Sequence, residues 1–187
     1  VASLPSGRGD GVPVNTLIAS ERDAIRWMGS GAADLLLLLW TSAGNGFLCR
    51  LGDMVSRTRS GKDFMTVPEA AEVMPALPLW TAAQAPKNAD KLYLAALSSD
   101  ARLLLSPLGE VPTRANGGLG VQLIGLPEGV SLAAVAVTDA KTLAIGGERR
   151  GKSVQETLSG AALELHIGPR AQRGRLVGVR WQPRLLG

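Results

Sequence analysis

Aromatic side chains are nearly missing from this sequence, which holds two Phe, one Tyr and four Trp among 187 residues. Binding of a single strand by stacked bases needs rows of aromatic faces, so that mode is disfavoured. The single cysteine, Cys49, excludes an intramolecular disulfide and suits a reducing compartment. The single histidine, His166, alternates with Leu165 and Ile167 and has no Cys or His companions, which argues against a metal or catalytic role. The longest apolar run, Leu35 to Trp40, is far too short to span a bilayer. Nothing near Val1 resembles a signal peptide, and a start without Met reads as a piece of a longer polypeptide.

What the chain does have is aliphatic. Hydrophobic residues make up 45% of it, enough for a packed core built from Leu, Val, Ala and Ile. Trp27, Trp40, Trp80 and Trp181 are its large anchors. Cys49 and Tyr93 lie in apolar stretches and read as core residues. The formal net charge of +4 is unevenly placed. Residues 141–187 carry nine Lys or Arg against Glu148, Glu156 and Glu164, whereas the first 140 residues are slightly acidic. A basic terminal third on a near-neutral body points to a polyanion.

The local patterns are those of short strands. Asp34 to Trp40, a turn at Ser42 to Gly46, and Phe47 to Leu51 read as a β-hairpin. Lys91 to Leu97, Ser98 to Ala101, and Arg102 to Ser106 repeat it. Lys141 to Ile145, with a turn at Gly146-Gly147-Glu148, begins a third. Asp63 to Val67, Leu119 to Leu126, Val130 to Val137 and Leu176 to Trp181 read as further strands. Asn15 to Met28 fits either a short helix or a strand. Each hairpin is followed by a loop in which a basic residue accompanies a glycine. Aligned on Gly61, Gly118 and Gly174, the loops recur at about 57 residues, and Gly7 to Gly11 looks like the tail of an earlier unit. A repeat that cannot bury its faces alone must stack on its neighbours. The expectation is an all-β, propeller-like array of about three four-stranded blades plus a remnant, open or partial. The blades fall at roughly 30–85, 86–138 and 139–187, with 1–29 as the tail of a preceding blade or a closing strand.

Gly44-Asn45-Gly46-Phe47, the apolar pair after it, and Asp53-Met54-Val55-Ser56-Arg57-Thr58-Arg59-Ser60-Gly61-Lys62 resemble a pattern of bacterial type IIA topoisomerase A subunits, in their C-terminal region. Val73-Met74-Pro75, Arg102 to Pro107 and Leu165 to Gly168 extend the likeness. The resemblance implies a β-pinwheel, a propeller-like array in which successive blades exchange a strand and the outer rim binds and bends duplex DNA. The Gln-Arg-Arg-Gly-Gly-Lys-Gly box of gyrase is absent, Gln172-Arg173-Gly174-Arg175 being a partial echo, so topoisomerase IV is the nearer match. A gyrase A tail and a protein-binding β-propeller module are the alternatives.

Phosphate contacts need Lys or Arg heads spaced along a surface. Three groups supply them: Arg50, Arg57, Arg59 and Lys62; Arg114; and Arg149, Arg150, Lys152, Arg170, Arg173 and Arg175. Arg8 is a further candidate. The family's catalytic tyrosine maps to nothing here, so this region alone is not expected to be catalytic. By resemblance the parent is an ATP-hydrolysing, magnesium-using type II topoisomerase that decatenates and relaxes DNA, and this region needs no cofactor. The implied partners are duplex DNA, the B subunit (ParE) and a second A subunit through regions outside this sequence, and chromosome-segregation proteins. The implied location is cytoplasmic and nucleoid-associated, with peripheral membrane association.

Overall fold

The structure is a computed structural model that describes residues 10–11, 13, 25–58 and 60–187. Arg8, Arg59 and most of the 15–28 segment lie outside the described residues.

The strands are β1 (Leu36–Trp40), β2 (Asn45–Arg50), β3 (Leu77–Pro78), β4 (Tyr93–Ser98), β5 (Arg102–Pro107), β6 (Val121–Gln122), β7 (Leu132–Thr138), β8 (Thr142–Arg149), β9 (Lys152–Ser159), β10 (Arg175–Leu176) and β11 (Gln182–Leu186). One short helix, α1, spans Ala161–Glu164. The strands form three antiparallel sheets, in the orders β3-β1-β2-β6, β10-β5-β4-β7 and β11-β8-β9. The first two have four strands; the third has three among the described residues.

The sheets stack face to face, which explains the unbroken apolar runs. A strand covered on both faces has no polar side to present. In β1, Leu38 and Trp40 point into the core between the first and second sheets, while Leu37 and Leu39 point the other way, towards Phe47, Phe64 and Ala76. In β4 and β5, Leu94, Ala96 and Leu104 face the first sheet, and Ala95, Leu97, Leu103 and Leu105 face the third. The alternation follows the two-residue period of a strand. All four tryptophans pack on these cores, and Trp40 Nε1 donates to the Pro75 carbonyl at 2.9 Å. Cys49 is fully buried, and Tyr93 packs against the core between the second and third sheets.

The sheets cut across the sequence spans in two places. β6, from the second repeat, completes the first sheet by pairing with Asn45 and Gly46. β10, from the third, completes the second by pairing with Arg102 and Leu103. This is the strand exchange of a pinwheel.

Several elements differ from the expectation. Val121 to Leu126 and Leu176 to Trp181 contribute only two-residue strands, because each is a brief grip on a neighbouring sheet. Asp63 to Val67 makes a single bridge, Met65 to Gly118. Gly146 and Gly147 lie inside β8, and the turn is Arg150-Gly151, both residues at positive φ. A two-residue turn of this kind matches the twist of a hairpin. Gly147 is in the strand for packing: a Cβ there would stand 2.6 Å from the Trp181 ring.

Candidate nucleic-acid interface

Each exchanged segment grips its neighbour at two points and leaves a loop between them. In the first arm, the Leu48 amide donates to the Pro112 carbonyl at 3.0 Å and the Arg114 amide to Leu48 at 2.7 Å. The arm then leaves the sheet and returns as β6. The second arm repeats this geometry. The Leu105 amide donates to His166 at 2.8 Å, the Gly168 amide to Leu105 at 2.9 Å, and the chain loops out before β10. Both loops therefore project from the outer edge of a sheet. We call residues 56–62 loop one, 114–120 loop two and 169–174 loop three.

The loops are linked in series. Gly118 of loop two donates to the Phe64 carbonyl at 2.9 Å and accepts from the Thr66 amide at 3.1 Å, just beyond loop one. Loop three rests on the tail of the first arm, where the Gly125 amide donates to Gln172 at 2.7 Å. Loop one is closed on itself by the Thr58 hydroxyl, which donates to the Gly61 carbonyl at 2.8 Å. Arg57, Arg114 and Arg170 occupy the same register in the three loops.

That shared register hides different environments. Arg57 is exposed and has no side-chain partner among the described residues. Arg114 is half-buried, and its guanidinium runs beside Gly118. Arg170 serves the fold: its Nη1 donates to the Gln122 carbonyl at 2.5 Å and its amide to Glu110 at 3.0 Å, tying the third repeat to the second. Arg50 and Lys62 gather around Asp53, which accepts from the Arg50 amide at 2.9 Å and from Lys62 Nζ through its carbonyl at 2.9 Å. Lys62 also stands 4.8 Å from the Phe64 ring centre, a cation–π contact.

In the third sheet, Arg149, Arg150 and Lys152 form the tip of the β8–β9 hairpin, all exposed. Arg184 lines the same recess as Gly151 and Ser153, an addition that sequence reading missed. The register shift in β11 falls between Pro183 and Leu185, and Pro183, which has no N–H for the ladder, is the one mark of it in the sequence. The hairpin tip holds the position that Gly44 and Ala101 hold in the other two sheets. Gln182, which pairs with Glu148 beside this tip, donates to the Ser99 carbonyl at the tip of the second sheet at 2.6 Å.

Arg175 is exposed on β10. Arg173 is exposed and pairs with Asp100 at 3.4 Å. Burial pushes the Asp100 carboxyl up, but the hydrogen bonds from Ser98 and Arg173 and the charges of Arg102 and Arg173 hold it below the usual range. His166 is buried beneath the β5–β10 pair, its Nδ1 3.3 Å from the Leu103 carbonyl. Burial, together with the charge of Arg175, lowers its pKa against the raising effect of the Leu103 and Arg175 carbonyls. Among the described residues no cluster of three His, Cys, Asp or Glu is placed to hold a metal. Also among these, no helix is long and apolar enough to cross a membrane.

No family model matches the sequence. The A subunit of DNA topoisomerase 4 from Neisseria gonorrhoeae is 38% identical over 180 residues, covering 95% of this chain and 22% of that protein. Its Escherichia coli K12 counterpart of the same name is 32% identical over 126 residues, covering 67% of this chain and 16% of that protein. The chain thus spans about a fifth of the length of the curated relatives it matches. Among solved structures, the E. coli ParC C-terminal domain superposes with a TM-score of 0.79 at 27% identity, over all of this chain and 74% of that one. A DNA gyrase A C-terminal domain shares the fold, with a TM-score of 0.62 at 14% identity over 82% of this chain and 50% of that one.

Proposed function

This chain belongs to the family of C-terminal domains found in the A subunits of topoisomerase IV, and from that premise we propose that it binds duplex DNA without sequence preference and bends it across the rim of the sheet array. The observation that carries the reading is the serial linkage of the outer loops. On this reading the loops present Arg57, Arg114 and Arg173 to the duplex, together with Arg175 on β10 and the tip cations Arg149, Arg150 and Lys152. Rigid spacing suits this role, because phosphate contacts fix the register of a duplex without reading its bases. A duplex that follows a curved row of cations gains contacts as it bends.

Within a complete enzyme, the bent segment would be presented to the strand-passage machinery. The ATP, magnesium and protein partners of that machinery, ParE among them, belong to regions outside this chain. A cytoplasmic, nucleoid-associated location follows from the same reading. The test is duplex binding as a function of salt. Each neutralised phosphate releases counterions, so log affinity should fall with log salt at a slope of about −0.9 per contact. Affinity that ignores salt would refute the proposal and favour a protein-binding module instead.

A further inference from the structure

The hairpin tips of the three sheets differ in charge at one position. The first carries Ala43, the third Arg150, and the second Asp100. Asp100 is thus an acid set among the cations of the rim. Its Oδ2 lies 3.3 Å from Arg102 Nε on β5 and 3.4 Å from Arg173 Nη2 on loop three. Its Oδ1 accepts from the Ser98 hydroxyl on β4.

One carboxylate therefore serves two guanidinium groups of unequal standing. The Arg102 side chain is 24% exposed and also donates to the Gly174 carbonyl at 3.3 Å, so it is fixed in the fold. The Arg173 side chain is 56% exposed and has no second partner among the described residues. An exposed pair of this kind contributes little and is easily exchanged. Beside it, loop three encloses a recess of about 420 Å³ lined by His166, Gln172, Gly174 and Arg175 among others, which leaves room for the guanidinium to turn.

Resting on the duplex-binding reading above, we propose that a backbone phosphate takes Arg173 from Asp100, and that Asp100 thereby sets the DNA affinity of loop three. Arg102 remains behind to neutralise the carboxylate. Asp100 acts as an internal anion that occupies the phosphate's place until DNA arrives.

The test measures binding of a short fluorescent duplex by wild type, Asp100→Asn, Arg173→Ala and the double variant. Asp100→Asn should bind about two- to fivefold tighter, the range set by the loss of one exposed competing pair. The gain should vanish in the Arg173→Ala background. A gain that persists there, or none at all, overturns the inference. A second measurement needs no variant: the Asp100 carboxyl, followed by NMR, should titrate at higher pH once duplex is bound. An unchanged titration overturns the inference while the duplex-binding reading stands. A wild-type chain that does not bind duplex overturns both.

Discussion

The backbone at Gly117 passes so close to Phe64 that a Cβ on the glycine would overlap the Phe64 carbonyl oxygen. Gly117 also has φ +69. Loop two of the second repeat is seated on the first repeat by this approach, and the glycine is what permits it. Gly117→Ala should therefore cost roughly 3 kcal/mol or more in urea unfolding, since displaced backbone adds to left-handed strain. Gly61→Ala in loop one, at φ +83 with nothing within 4 Å of the added atom, should cost only the strain, about 1–2 kcal/mol. Equal costs would mean that loop two is not pinned.

The three arginines in register separate by function. Arg57→Ala and Arg114→Ala should each make the salt slope of duplex binding less negative by about 0.9, with little change in stability. Arg170→Ala should leave the slope alone and destabilise the fold by roughly 1–3 kcal/mol, because it removes a hydrogen bond between repeats. A slope change in Arg170→Ala, measured by fluorescence anisotropy, would return this residue to the DNA surface.

His166 gives the fold a dependence on acid. Its pKa is lowered in the folded state from 6.5, chiefly by burial. The unfolded chain then takes up the proton first. The contribution is complete above the unfolded pKa and is lost as pH falls from there through the folded one. Urea midpoints measured from pH 8 down to pH 5 should decline for the wild type. They should decline less steeply for His166→Asn, and parallel profiles would show that other groups dominate.

Cys49 should be inert in the native state. Burial first, and the charge of Asp53 second, push its thiol up to about 11. At pH 8 almost no thiolate is present, so a thiol reagent should modify the protein at the rate of unfolding. Rapid labelling of folded protein would contradict the buried placement of β2.

Much of the architecture can be read from the residues. The period of about 57 residues shows in the loop glycines Gly61, Gly118 and Gly174, and the paired apolar runs mark β1, β2, β4 and β5. The partners of β6 and β10 cannot be read this way. Two residues carry no periodic signal, and their pairing depends on contacts made by a preceding repeat. Gly146-Gly147 looks like a turn by composition, but the indole of Trp181 claims the space that a side chain would fill, and the turn moves to Arg150-Gly151.

The candidate site is legible as a list of cations and illegible as an arrangement. Arg57 and Arg170 look alike in sequence, because each stands four residues before its loop glycine. Only folding turns one outward and sets the other against the Gln122 carbonyl. Asp100 looks like an ordinary turn residue, since its two guanidinium partners come from β5 and from a loop more than seventy residues away.

The exchange of arms has a consequence for how such arrays change in length. Each completed sheet takes its outer edge from the repeat that follows, so the period in the sequence and the period in space are offset. Removing one whole sequence period leaves the preceding sheet able to accept the arm of whichever repeat now comes next. Duplication works the same way in reverse. Blade number can therefore drift by recombination between repeats without a new junction having to evolve.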